Sequence, residues 1–173
     1  MKALVLTQAD SPPVMEHRER TALRPGHARV RMRAAALNRR DIWIMRGQYP
    51  GIRYPIILGS DGCGIVESVS HDNSHWEGRR VLFYPAFDWG DNPAVQSENF
   101  TILGLPRDGT FAEWIDLPVE NLRAAPNHLT DIEAAALPLA GLTAWRALMN
   151  RGRFTKHDSV FVSGIGGGVS QMV

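Results

Sequence analysis

The sequence has a single cysteine, Cys63, among 173 residues. One thiol excludes a disulfide within the chain and any zinc site built from several cysteines. Low cysteine content is typical of proteins in a reducing compartment, so we expect a cytoplasmic protein. The six histidines form no catalytic cluster. His71 and His75 lie in a polar turn rather than on a predicted helix, so a two-histidine metal site is not expected.

Long hydrophobic runs are also absent. No stretch approaches the roughly 18 to 20 apolar residues that cross a bilayer. The apolar start of the chain ends at Pro12-Pro13, too soon for a signal peptide. Neither charge dominates, with 19 basic and 18 acidic residues, so no strong attraction to polyanions is expected. The densest basic stretch, Ala28 to Arg33, alternates arginine with apolar residues and predicts a half-buried strand with a solvated arginine face. The sequence thus predicts neither a membrane nor a nucleic-acid partner.

Up to about Asn127 the chain consists of short β-rich segments separated by Gly, Pro, Asn and Asp. Strands at this spacing, with no helices between them, favour a barrel or a sandwich over a parallel sheet. The segment from Asp88 to Asp108 has no clear period and is predicted to be a long loop. The predicted strands lie in KALVLT, VMEHRE, HARVRMRAAAL, GCGIVESVS, RRVLFYPA and GTFAEWIDLP.

The pattern changes near His128, where an Ala- and Leu-rich segment begins. Thr130 and Glu133 have the spacing of a capping box, in which each side chain satisfies a backbone N–H at the start of a helix. Pro138 removes a backbone donor, so the segment is predicted to form two short helices with a break at that proline. Gly152 ends the second helix.

A glycine-rich turn follows the helices. Residues 159–163, SVFVS, are predicted to be a buried strand that runs directly into this turn. Glycines after a strand permit a tight turn and let a pyrophosphate approach the backbone at the start of the next helix. The helix after the turn and the acidic ribose ligand expected about 20 residues further on lie outside this sequence. The glycines are Gly164, Gly166, Gly167 and Gly168.

Five motifs, in this order and spacing, resemble the medium-chain dehydrogenase/reductase superfamily over essentially the whole chain. The resemblance implies a mainly β fold with two parts. Residues 1–128 are expected to form a GroES-like β-barrel domain on the substrate side. Residues 129–173 are expected to supply connector helices and the first strand of an incomplete Rossmann α/β domain. The motifs are NRRDIWIMRG from Asn38, LGSDGCGIV from Leu58, DGTFAEWIDLP from Asp108, EAAALPLAGLTAWRAL from Glu133, and the closing VSGIGGGVS.

The resemblance also bears on metal dependence. Zinc alcohol dehydrogenases of this superfamily have Cys, His and Cys ligands at three positions where this chain has Asn38, Ser60 and Leu139. An amide, a hydroxyl and an alkyl chain cannot replace two thiolates and an imidazole. The cysteines of the structural zinc lobe are missing too, since residues 88–108 contain none. The resemblance therefore implies the zinc-independent branch, with no metal; a relative that uses a different metal is the alternative.

That branch includes quinone reductases and enone or enoyl reductases, which move hydride between NADPH or NADH and a carbonyl, a quinone or an activated alkene. The chemistry needs orientation of donor and acceptor and hydrogen bonds to the developing oxyanion. The resemblance implies Asn38 as such a donor, Trp43 in the substrate cleft and Thr143 close to the cofactor. Asp41 is counted with these candidate catalytic residues, but it is expected to support the structure of the site rather than to act as an acid or base. The competing interpretations are an Asn that secures a loop, a Trp in the core and a Thr bonded to its own helix.

The closing turn deviates from its family at one position, since Ser170 stands where Gly or Ala is usual. Family members are longer and carry a complete Rossmann domain. We therefore expect a fragment, truncated after the first Rossmann strand, that neither binds a nicotinamide tightly nor turns over alone. The full-length protein is expected to be a homodimer with a small-molecule substrate. The alternative is a stand-alone GroES-like binding or assembly module without catalysis. The residues implied in cofactor binding are Thr143, Gly164, Gly166, Gly167, Gly168, Val169 and Ser170.

Overall fold

The computed structural model describes residues 1–70 and 73–173. His71 therefore lies outside the described residues, and with it the histidine pair considered above. Within the described ranges the chain forms eleven strands and four α-helices. In chain order they are β1 (Lys2–Leu6), β2 (Val14–His17), β3 (His27–Ala36), α1 (Arg39–Met45), β4 (Ile56–Ile57), β5 (Asp61–Val69), β6 (Arg80–Phe83), β7 (Ala86–Phe87), β8 (Thr101–Leu103), β9 (Pro106–Arg107), β10 (Trp114–Pro118), β11 (Leu122–Ala124), α2 (Asp131–Ala135), α3 (Pro138–Trp145) and α4 (Gly168–Gln171).

The strands form three sheets. The largest has the order β10-β3-β5-β6-β11 and is antiparallel throughout. The second has the order β2-β1-β4, and the third has the order β7-β8-β9, in which only β8 and β9 are parallel. The sequence prediction of a β-rich fold without a parallel central sheet is confirmed.

Strand β3 shows why the large sheet forms. Its first half alternates the fully buried Ala28 and Val30 with arginines that point the other way. Arg29 then pairs with Asp116 of β10 at 2.7 Å, on the outer face of the sheet. The predicted half-buried strand with an arginine face is confirmed. The inward side chains join a core whose members bury their apolar surface together: Ala28, Val30, Val66, Val81, Phe83, Phe87, Leu103, Ile115, Leu117 and Leu122.

A second core lies under α1, a helix that the sequence did not predict. Arg40, Asp41 and Ile44 form the buried face of this helix. Two of the three are charged, so the apolar period by which an amphipathic helix is recognised is missing. The buried apolar residues of this core, including Ile44 of the helix itself, are Leu6, Ile44, Ile56, Leu58 and Leu105.

The connector helices agree with the sequence prediction. Thr130 is the N-cap of α2 and exchanges hydrogen bonds with Glu133, which is the predicted capping box. Helix α2 ends at Ala135, and α3 begins at Pro138. Beyond α3 the helix widens into a π-helical segment, Arg146–Arg151, and Gly152 caps its end.

Two predictions need correction. Residues 159–163 form no strand, and the Phe161 side chain is 93% exposed. A β-strand needs a neighbour to pair its backbone groups, and no neighbouring strand is present among the described residues. The segment 88–108 is not a loop throughout, because β8 and β9 lie in it and its long irregular part is limited to residues 88–100. The proposed division at residue 128 stays a prediction.

No helix in the described ranges combines the length and apolar character needed to span a bilayer.

Candidate active site

The centre of the candidate site is the carboxylate of Asp61, at the start of β5. It is 1% exposed. Asn38 donates a side-chain Nδ2–H to Asp61 Oδ2 at 2.9 Å. The backbone N–H of Leu139, in the first turn of α3, donates to Asp61 Oδ1 at 2.9 Å. One carboxylate therefore joins the large sheet, the loop before α1 and the connector helix.

The local chain explains how Asn38 reaches this position. It lies just after β3 as the N-cap of α1, with extended backbone angles. Its backbone N–H donates to the carboxylate of Asp41 at 2.8 Å. Burial raises the pKa of Asp41, against the opposing effect of this hydrogen bond. Asp41 thus fixes the first turn of α1.

The environment of Asp61 shifts its protonation. Burial raises its pKa from 3.8 to about 6, while the hydrogen bonds from Asn38 and Leu139 favour the ionised form. The nearby charge of Asp41 adds to the increase. At neutral pH the group is largely ionised, so both of its oxygens are acceptors. The Asn38 amide is consequently held with its N–H side towards Asp61.

A buried arginine supports the other side of this region. Arg40 is 8% exposed, and its guanidinium donates to Ser60 Oγ and to the Leu103 carbonyl, at 2.5 and 2.6 Å. Its guanidinium carbon lies 5.0 Å from the ring centre of Tyr49. Sequence reasoning did not single out Arg40. One signal could have found it: Arg40 and Ile44 lie one turn apart, on the same face of a helix.

The residues present do not fit a catalytic zinc. Asn38 is bonded to Asp61, and Ser60 donates to the Leu103 carbonyl at 2.9 Å while accepting from Arg40. Leu139 contributes its backbone N–H to the site, and its alkyl side chain carries no ligand atom. Sequence reasoning missed the role of Asp61. Its signal is a single acidic residue inside the apolar run from Ile56 to Val66, since a buried charge needs partners.

Thr143 and Leu139 line one cavity of about 550 Å³, between α3 and the segment at residues 84–102. Thr143 Oγ1 donates to the Leu139 carbonyl at 2.7 Å, so the hydroxyl is bonded to its own helix. Asn38, Asp61, Leu139 and Thr143 thus form a continuous series of hydrogen-bonded groups. Trp43 is not part of this series. It is 39% exposed and lies beside Arg46, at 5.9 Å.

The glycine turn lies against α3. A Cβ added at Gly168 would be 3.5 Å from the Cβ of Ala140, the neighbour of Leu139. Gly164 has a φ of +69°, and an added Cβ would meet nothing within 4 Å at Gly164 or at Gly166. The outer side of the turn is therefore open at these two positions. The predicted strand that would present the turn is not formed, and Val169 and Ser170 lie in the four-residue α4.

Residues 24–127 match the alcohol dehydrogenase GroES-like domain family. The chain belongs to that family. The predicted resemblance to medium-chain dehydrogenase/reductase proteins, with a GroES-like domain as the main part of the fold, is confirmed.

Relatives of this alcohol dehydrogenase-like chain support the assignment. It is 32% identical to the zinc-type alcohol dehydrogenase-like protein YogA of Leptosphaeria maculans, over 84% of this chain and 44% of that protein. It is 31% identical to acryloyl-coenzyme A reductase of Sulfurisphaera tokodaii, over 81% of this chain and 44% of the relative. A crystal structure of an NAD-dependent alcohol dehydrogenase is 33% identical, with a TM-score of 0.91 over 99% of this chain and 53% of the other. The chain thus spans about half the length of the relatives it matches.

Proposed function

We propose that this chain is the substrate-side part of a zinc-independent oxidoreductase. The complete oxidoreductase uses NADPH or NADH and transfers hydride between the nicotinamide and a carbonyl, a quinone or an activated alkene. One observation carries the proposal. The Asp61 carboxylate links the positions of Asn38 and Leu139, where zinc alcohol dehydrogenases have two of their ligands, and neither residue supplies a thiolate or an imidazole.

Asn38 is the proposed hydrogen-bond donor to the substrate oxygen. An amide nitrogen carries two hydrogens, and Asp61 accepts one of them. The second is available to an oxygen that gains negative charge as hydride is transferred. Asp61 is a positioning residue, because it holds the amide through this bond without itself touching the substrate. Trp43 and Thr143 are proposed to border the substrate and the cofactor respectively.

The backbone of the closing turn is proposed to hold the pyrophosphate of the cofactor, at Gly164, Gly166, Gly167, Gly168, Val169 and Ser170. Its open outer side supports this role. When bound, the nicotinamide supplies or accepts the hydride. The remaining contacts to the cofactor are proposed to come from the part of the longer protein that corresponds to the half of the relatives not spanned by this chain.

The names of the relatives support the reaction class and leave the metal open to test. An acryloyl-coenzyme A reductase acts, by its name, on an activated alkene. The name of the Leptosphaeria maculans relative includes the term zinc-type, and this chain is proposed to differ from that name in using no metal. Homodimer formation, a small-molecule substrate and a cytoplasmic location belong to the same proposal, the last on the strength of the single buried cysteine.

The test compares this chain with the longest protein that its gene encodes. NADPH and NADH are titrated against each while nicotinamide fluorescence is followed. Loss of NADPH absorbance is then measured with an enone, a quinone and an aldehyde. We expect turnover by the longer protein and none by the 173-residue chain. Tight binding of a nicotinamide by the short chain would contradict the expectation that it is incomplete.

Two further measurements test the roles assigned to the residues. Replacing Asn38 by alanine in the longer protein should lower kcat about 100-fold, the scale of removing one oxyanion donor. The matched control is Arg39→Ala, at the neighbouring exposed position, which should leave kcat unchanged. Elemental analysis should find no stoichiometric metal, and a chelator should leave the rate unchanged. Activity that a chelator removes and zinc restores would sink the zinc-independent proposal.

A further inference from the structure

The cavity beside α3 has an aromatic wall. It has a volume of about 550 Å³ and lies between the segment at residues 84–102, which includes β7 and part of β8, and the helical segment at residues 139–151. Trp89 and Phe100 meet edge to face, with ring centres 5.0 Å apart and planes at 78°. Trp145 lines the cavity from the helix side and is 61% exposed. Such surfaces favour a flat, apolar molecule over a polar one.

Two arginines lie at the same cavity. Arg146 stacks over Trp89 at 4.1 Å and donates to the Pro93 carbonyl at 3.0 Å. Arg151 donates to the Ala94 carbonyl at 3.1 Å. These bonds secure the irregular loop to the helix. Each uses one of the five N–H donors of a guanidinium, so donors are left on both side chains.

The charges of these arginines are not neutralised within the described residues. No carboxylate oxygen in those ranges lies within 4.0 Å of a nitrogen of Arg146 or Arg151. Other arginines of the chain have such partners: Arg29 pairs with Asp116, and Arg80 pairs with Asp131. The cavity therefore combines an aromatic wall with two unpaired positive charges.

The shape of the helix contributes as well. Residues Arg146–Arg151 form a π-helical turn, a rare structure that is frequent at functional sites. Four residues of this segment line the cavity: Arg146, Ala147, Asn150 and Arg151. The same stretch continues from Leu139 and Thr143, which connect the cavity to the Asp61 centre.

We propose that this cavity binds an aromatic carboxylate, with the ring against Trp89, Phe100 and Trp145 and the carboxylate facing Arg146 and Arg151. As a statement about the substrate, this rests on the proposed function: the substrate of the oxidoreductase is an apolar aromatic compound that carries a carboxylate. A guanidinium fork matches the geometry of a carboxylate, and the charge-assisted bonds it makes are stronger than those to an uncharged amide.

The test measures binding to the 173-residue chain by NMR. The probes are 3-phenylpropanoate and its uncharged amide, 3-phenylpropanamide. The chain has five tryptophans, whose indole N–H signals report separately. We expect Trp89 and Trp145 to shift with added 3-phenylpropanoate, and Trp76 and Trp114, which do not line the cavity, to stay in place. The amide should bind about tenfold more weakly, because it loses the charge-assisted bonds.

Variants decide whether the arginines cause this preference. Arg146→Gln and Arg151→Gln should each reduce the preference for the acid over the amide. Arg146→Lys should retain most of it, because the charge is kept even if the stacking is lost. The control is Arg79→Gln, since Arg79 also lies over a tryptophan, Trp76, but outside the cavity.

Four outcomes would overturn the proposal: no binding of 3-phenylpropanoate, equal affinity for acid and amide, shifts at Trp76 or Trp114 instead, or an unchanged preference in both glutamine variants. The readout needs no nicotinamide. Absence of binding therefore contradicts the carboxylate site alone, whereas absence of hydride transfer in the longer protein contradicts the proposed function.

Discussion

Asn38 and Asp61, 23 residues apart in the chain, are joined by a 2.9 Å hydrogen bond from the amide to a buried carboxylate. The other oxygen of that carboxylate accepts the N–H of Leu139, a further 78 residues along the chain. Three separate segments thus depend on one ionisable group. Its removal and its titration should both be measurable.

Removing the Asp61 carboxylate should destabilise the fold. In Asp61→Ala two partly buried donors, on Asn38 and Leu139, lose their acceptor. Each unsatisfied donor costs about 1–3 kcal/mol, and removal of a buried charge offsets part of this. We expect the free energy of unfolding to fall by about 2–3 kcal/mol, measured by urea denaturation. Asp91→Ala, at an exposed loop position, is the control and should change it by less than about 0.5 kcal/mol.

The pH dependence of stability should carry the signature of Asp61. Its pKa is about 6 in the folded protein against an ordinary 3.8, so the folded state binds the proton more tightly. The unfolding free energy contributed by this group is therefore highest below about pH 4, falls as pH rises through the window from 4 to 6, and is constant above. The loss is about 3 kcal/mol. Denaturation at several pH values should show this slope in the wild type and not in Asp61→Asn. If the free energy of unfolding of the wild type rose with pH relative to that of Asp61→Asn, the assignment would be contradicted.

Arg40 should be as important to stability as a core residue. Its guanidinium bonds Ser60 Oγ and the Leu103 carbonyl in a buried setting. Arg40→Ala leaves these acceptors short of a donor and opens a cavity under Tyr49, so we expect a loss of about 3 kcal/mol. The neighbouring Arg39 is exposed, and Arg39→Ala should cost less than about 0.5 kcal/mol. Similar losses in both variants, measured by chemical denaturation, would show that the buried contacts are unimportant.

The N-cap of α2 should contribute a smaller amount. Thr130 Oγ1 accepts the backbone N–H of Glu133 at 3.3 Å. Thr130→Ala should lower the free energy of unfolding by about 1 kcal/mol. Thr130→Ser keeps the hydroxyl and should be close to the wild type. If the serine variant were as unstable as the alanine variant, the capping bond could not be the cause.

Two glycines should respond to alanine in opposite ways. A Cβ at Gly109 would overlap the carbonyl oxygens of Gly59 and Leu58, so Gly109→Ala should cost more than about 2 kcal/mol through strain. A Cβ at Gly141, inside α3, would meet nothing within 4 Å. Gly141→Ala should therefore stabilise the fold by about 0.5–1 kcal/mol, because alanine favours the helix. Thermal unfolding distinguishes the two signs.

Sequence patterns predicted some helices and strands of this chain and missed others. The period-2 alternation of residues 27–36 predicted β3, because one face of that strand is buried and the other solvated. The capping-box spacing of Thr130 and Glu133 predicted the start of α2, because capping is a local interaction. Helix α1 was missed, since its buried face includes Arg40 and Asp41. The predicted strand at residues 159–163 was wrong, because its apolar composition is not enough without a neighbouring strand.

The sequence by itself determined the family, most of the strands and the connector helices, because each depends on local pattern. It also determined that Asn38, Ser60 and Leu139 stand at the zinc-ligand positions, because that depends on residue identity alone. Only the tertiary structure decided that Asp61 lies between Asn38 and Leu139, that Arg40 is buried, and that Arg146 and Arg151 share a cavity with Trp89. These are contacts between segments far apart in the chain. Their energies depend on burial and on unpaired charge, which no local pattern records.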